Sequence, residues 1–90
     1  MKTRPLPKWI MQHYAQMWHR FKEKEFTYEE VSSLFKNENE NSIRAVISQL
    51  RKNGWLIAEF NQEDSRKRKY KLKSPALAIE DMAEKVSSRL

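Results

Sequence analysis

Apolar positions keep a helical period up to Leu50, switch to alternation from Trp55, and return to a helical period after Pro75. Between Trp9 and Lys22, Ile10, Tyr14, Met17, Trp18 and Phe21 form one stripe, with Trp9 and Met11 at its edges. That spacing predicts an amphipathic helix whose stripe is core. Phe26-Thr27-Tyr28-Glu29-Glu30-Val31 has the form of a capping box with a hydrophobic staple. It predicts a second helix running to about Lys36 and burying Val31, Leu34 and Phe35. The polar stretch from Asn37 to Asn41 is a turn. A third helix follows, with Asn39 as its preferred N-cap and Asn41 as the alternative. Ile43, Val46, Ile47 and Leu50 make its buried stripe, and Gly54, the one glycine of the chain, suits the left-handed position after its end.

From Trp55 the period becomes two. Leu56, Ala58 and Phe60 alternate with Ile57 and Glu59, and Tyr70 and Leu72 alternate with Lys69, Lys71 and Lys73. Asn61 to Ser65 is turn-forming, so the two runs predict an antiparallel hairpin with a polar tip. Ser74-Pro75 is an N-cap followed by proline at the first helical position. The last helix carries Ile79, Met82, Val86 and Leu90 on one face. The expected fold class is mainly α with a small β-hairpin (α+β), in the order helix-helix-helix-hairpin-helix.

Ninety residues make one domain with a thin core, and without cysteine no disulfide reinforces it. Within residues 1–90, residues 1–7 read as a flexible basic arm stiffened by Pro5 and Pro7. Residues 8–73 are the core, and 75–90 a C-terminal helix. No apolar run is long enough to span a membrane, and the start from Met1 to Pro7, basic but followed by no apolar h-region, is not expected to act as a secretory signal. The net charge is +6, and its placement is more telling than its size. Residues 66–73 hold six lysines and arginines and no acid, and residues 41–52 hold three and no acid. Acidic stretches separate these blocks. Such blocks imply a partner of dense negative charge.

Groove dimensions then suggest what the third helix does. The major groove of B-DNA admits one α-helix, which must be packed on one side and polar on the other. Opposite the apolar stripe stand Asn41, Ala45, Ser48 and Lys52, flanked by Arg44 and Gln49. Arg44 suits guanine edges, and Asn41 or Gln49 suits adenine. Ser42 and Ser48 suit phosphates or bases, Ala45 permits close approach, and Lys52 suits phosphate. Beside them, the hairpin bears Arg66, Lys67, Arg68 and Lys69 at its tip and second strand. These follow a phosphate backbone or enter a narrow minor groove. The competing reading of the lysines is an edge strand defended against aggregation. Lys2, Arg4 and Lys8 on the arm read as disordered, with added phosphate contact as the alternative.

These segments resemble a known family. Thr27-Tyr28-Glu29-Glu30-Val31 and Asn41 to Leu50 resemble the two helices of winged helix-turn-helix regulators. Leu50-Arg51-Lys52-Asn53-Gly54-Trp55-Leu56-Ile57 is similar to their helix-to-strand junction. Asp64-Ser65-Arg66-Lys67-Arg68-Lys69-Tyr70-Lys71-Leu72 looks like the wing of MarR-type regulators, in which an aspartate precedes arginines. The resemblance runs from about Phe26 to Lys73 and puts the wing at 61–68. It implies Arg66 and Arg68 as wing contacts, and Ser42, Arg44 and Ser48 as recognition-helix contacts. It also implies homodimers on near-palindromic sites.

The expectation is therefore a cytoplasmic, nucleoid-associated protein that binds double-stranded DNA and regulates transcription. The C-terminal helix is the expected homodimer contact. The alternative is a protein-interaction module using Trp9, Trp18 or the last helix. No enzyme, cofactor or metal is expected. One glycine excludes a phosphate-cradling loop. His13 and His19 are six apart, on different helix faces, without cysteine or nearby carboxylate partners for zinc.

Overall fold

The computed structural model describes residues 3–60 and 68–87, except the side chains of Phe60 and residues 85–87. The elements are α1 (Lys8–Phe21), α2 (Tyr28–Leu34), α3 (Glu40–Lys52), β1 (Leu56–Phe60), β2 (Arg68–Leu72) and α4 (Pro75–Ser87). Their order is the expected one.

Local chemistry sets the boundaries. Thr27 Oγ1 accepts from the Glu30 amide at 3.3 Å, and Asn39 Oδ1 accepts from the Ser42 amide at 2.8 Å. Ser74 Oγ accepts from the Leu77 amide at 3.3 Å, with Pro75 opening α4. Each satisfies a donor that the first helical turn leaves unpaired. At the end of α3, Gly54 takes φ 83°. Its amide donates to Arg51 O, and that of Trp55 donates to Leu50 O at 2.8 Å. Leu50 and Trp55 are both buried. This is a complete Schellman cap with its apolar contact.

Two boundaries differ from the sequence reading. Helix α2 stops at Leu34 rather than near Lys36. Phe35 leaves helical geometry to enter the core, and the Glu38 amide then closes a turn on Phe35 O at 3.0 Å. Between α1 and α2, the Lys24 amide donates to Phe21 O at 3.0 Å, and Lys22 sits at φ 53°, ψ −127°. That is the first central position of a type II′ turn, which glycine occupies most easily. A lysine there stores roughly 1–3 kcal/mol of backbone strain.

The core gathers Ile10, Tyr14, Met17 and Phe21 of α1, Val31 and Phe35, and Ile43, Val46, Ile47 and Leu50 of α3. It is closed by Trp55, Leu56, Tyr70 and Leu72 from the hairpin side. Strands β1 and β2 pair antiparallel, Leu56 opposite Leu72 and Ala58 opposite Tyr70. These four face inward, while Ile57, Glu59, Lys69 and Lys71 face out. Phe26 and Tyr70 exchange both backbone hydrogen bonds, at 2.9 and 2.7 Å, so the α1–α2 link occupies the second edge of β2. Phe26 also stacks on Phe21, centroids 4.4 Å apart. The hairpin is thereby fastened directly to the helical layer.

The arm is not free where it is described. Thr3 is 2% exposed. Its hydroxyl donates to Asp81 Oδ2 at 3.0 Å and accepts from Lys73 Nζ at 2.7 Å. Arg4 donates its amide to Asn53 O at 2.9 Å and accepts from the Trp55 indole at 2.6 Å. Residues 3 and 4 are held because a buried indole N–H needs an acceptor, a demand with no local sequence signal. Helix α4 packs inward through a face other than the centre of its Ile79-Met82-Val86-Leu90 stripe. Ala78 is its buried centre, Met82 is half-buried, and Ile79 is 61% exposed. Asp81, paired with Lys73 and Thr3, holds Ala78 and Met82 inward. Leu90 lies outside the described residues, as does the Val86 side chain.

Candidate nucleic-acid interface

Helix α3 holds its buried stripe against α1, α2 and β1, so its opposite side must face solvent. At roughly 100° per residue, Asn41, Arg44, Ser48 and Lys52 form one ridge, and all four are exposed. Ser42, Ala45 and Gln49 form a half-buried shoulder. The Gln49 carbonyl accepts from Asn53 Nδ2 at 3.2 Å, which directs that side chain along the helix.

The ridge does not stand alone. An open concavity of about 620 Å³ lies between α3, the start of α2 and strand β2 of the hairpin. Arg44, Ser48, Arg51 and Lys52 line it from α3, and Arg68 lines it from β2. Ile47 and Tyr70 form its apolar floor, and Tyr28 closes the α2 side. The Tyr28 hydroxyl is buried with no hydrogen-bond partner among the described residues. Strand alternation explains Arg68: it shares a face with Tyr70 and Leu72, whereas Lys69 and Lys71 point the other way.

Four cations around one hollow repel one another, and water and salt screen that repulsion only in part. The negative end of α3 offsets some of it for Arg51 and Lys52. A dense anion in the hollow would offset the rest. Arg44 is paired with Glu40 at 2.8 Å, four residues back and exposed to solvent. Such a pair is worth only about 0.3–0.5 kcal/mol, so a better acceptor can displace Glu40.

The structure thus gathers Arg44, Ser48, Lys52 and Arg68, with Asn41 continuing the ridge. It does not bring Ser42, Ala45 or Gln49 into the concavity. Lys69 leaves the group on the outer face of the hairpin, near Glu25 at 3.7 Å. Arg66 and Lys67 lie outside the described residues. Sequence reasoning missed Arg51, although its spacing from Arg44 and Ser48 puts it on the same helix side. It also missed Tyr28, for which no sequence signal exists.

Behind the interface, His13 braces the turn that leads into α3. Its Nε2 meets the Glu38 carboxylate at 2.7 and 2.8 Å, its Nδ1 meets Trp9 O at 2.6 Å, and its ring packs on Phe35 at 4.8 Å. Among the described residues no three His, Asp or Glu side chains converge as a metal site. No helix there is long and apolar enough to cross a membrane.

Compared with solved structures, the chain is similar to the adhesin competence repressor (AdcR) from Streptococcus pyogenes. The TM-score is 0.57 at 15% identity, over 92% of this chain and 60% of that one. The fold is a winged helix-turn-helix. In this fold α2 and α3 make the helix-turn-helix and β1–β2 the wing. The chain spans 60% of the length of the repressor chain it matches. No protein-family model and no curated protein sequence matches it. The winged-helix geometry explains why the concavity forms where it does. The wing leaves the body beside the C-terminal half of α3, so exposed cations of both face one hollow.

Proposed function

We propose that this chain binds double-stranded DNA sequence-specifically and acts as a transcriptional regulator. The observation that carries this reading is the shared concavity: Arg44, Arg51 and Lys52 of the recognition helix and Arg68 of the wing line it together. Helix α3 is 13 residues long, about 20 Å, and with side chains about as wide as the major groove. Seated there, Arg44 and Asn41 read base edges. Lys52, Arg51 and Ser48 hold phosphates, and Arg66, Lys67 and Arg68 follow the backbone or minor groove. Likeness to a chain named a repressor supports a regulatory role. Leu77 and Ile79 on the outer side of α4, 55% and 61% exposed, support a homodimer through that helix.

The test is selection of duplexes from a random pool at two salt concentrations, followed by titration of variants. Arg44→Ala is expected to lose about 1–3 kcal/mol of discrimination at one base pair, and Arg68→Ala to weaken all duplexes alike. Absence of enrichment at both salts sinks the sequence-specific reading. The second reading, a protein-docking module, is favoured by Trp9, 46% exposed on α1. It requires partner binding that ignores Arg44 and Arg68.

A further inference from the structure

We propose that Arg4 is a fixed phosphate contact at the C-terminal end of the recognition helix, a third cationic strip outside helix and wing. The inference rests on the duplex binding proposed above and extends its footprint.

Three constraints hold the Arg4 backbone. Its amide donates to Asn53 O at 2.9 Å, and its carbonyl accepts from the Trp55 indole at 2.6 Å. It also precedes Pro5, and a residue before proline is restricted to extended conformations. Successive side chains of an extended segment point to opposite sides. Thr3 points inward, where Lys73 and Asp81 hold it, and Arg4 points to solvent. Among the described residues no acid pairs with the Arg4 guanidinium, in contrast to Arg44, Lys69 and Lys73.

Position supplies the rest. Asn53 is the C-cap of α3, next to Lys52 on the ridge. The Arg4 backbone therefore sits at the C-terminal end of α3, beside Asn53, with its side chain exposed there. A duplex on the ridge would meet Arg68 of the wing and Arg4 at the end of the helix. A cation already mounted on an ordered backbone loses less freedom on binding than one on a loose tail. The arm is thus a built part of the interface.

Fluorescence anisotropy on a labelled random duplex, between about 50 and 200 mM KCl, reads the contact directly. Arg4→Ala is expected to make the slope of log K against log salt shallower by about 0.9, with roughly five- to tenfold weaker binding at the middle of that range. Arg4→Lys restores the slope. The thermal midpoint stays put in both, because only the Arg4 backbone serves the fold. Thr3→Val keeps the charge but loosens its mount, so binding weakens at an unchanged slope. A slope in Arg4→Ala equal to that of the parent overturns the inference while leaving duplex binding intact. If the parent binds no duplex, both readings fall together.

Discussion

The two flanks of helix α3 are built in opposite ways. On one, Thr3, the Arg4 backbone, Trp55, Lys73 and Asp81 are joined by hydrogen bonds and an ion pair, and among the described residues of the arm the one charge left to solvent is the Arg4 guanidinium. On the other, Arg51 and Lys52 stand in solvent around a hollow, and the Arg44 pair with Glu40 is exposed. The first flank contributes to folding. The second gains little from folding and is suited to a charged partner. A winged helix so divided can present charge without weakening its own core.

The comparison breaks first at Trp55, which links core, Schellman cap and strap. Trp55→Ala is expected to cost about 3–5 kcal/mol in urea unfolding. A loss below 1 kcal/mol would mean that the knit flank is not what holds α3. Gly54→Ala, which forces a Cβ into φ 83°, should cost about 1–2 kcal/mol by the same measurement.

Acid and alkali probe the same flank in opposite directions. Hydrogen bonds from Lys73 and Thr3 hold the Asp81 carboxyl below its usual 3.8. Its contribution is full above that value and is lost as pH falls through the lowered one. Burial pushes the Tyr14 hydroxyl, which donates to Lys73 O at 2.6 Å, from 10.0 up to about 12. Its contribution is full below pH 10 and is lost as pH rises towards 12. Urea midpoints across pH should therefore flatten at the acid end in Asp81→Asn and at the alkaline end in Tyr14→Phe. Unchanged profiles would remove these groups from the account. The smallest effect is expected across the helix: Arg51→Ala and Lys52→Ala should shift stability by less than about 0.5 kcal/mol while weakening duplex binding. A large loss of stability there would erase the contrast between the flanks.

Much of the fold was legible in residue order. Thr27, Asn39 and Ser74 cap the helices they were expected to cap, and Gly54 ends α3. The change of period at Trp55 marks the hairpin. The candidate site was legible in part. The ridge of Asn41, Arg44, Ser48 and Lys52 follows from helical spacing alone. The departure of Lys69 towards Glu25 and the joining of Arg68 to Arg51 do not.

What residue order determined by itself is what neighbours a few positions apart can settle: caps, periods, turns and the polar side of α3. These rest on contacts within one helical turn or one strand pleat. Tertiary structure alone decided that residues 3 and 4 meet Asp81, Asn53 and Trp55, that Ala78 rather than Ile79 is buried, and that two cationic segments line one hollow. Those outcomes depend on groups far apart in the chain, such as a buried indole seeking an acceptor 51 positions away. No local pattern encodes such a partner, because the demand for it arises only once the core has closed.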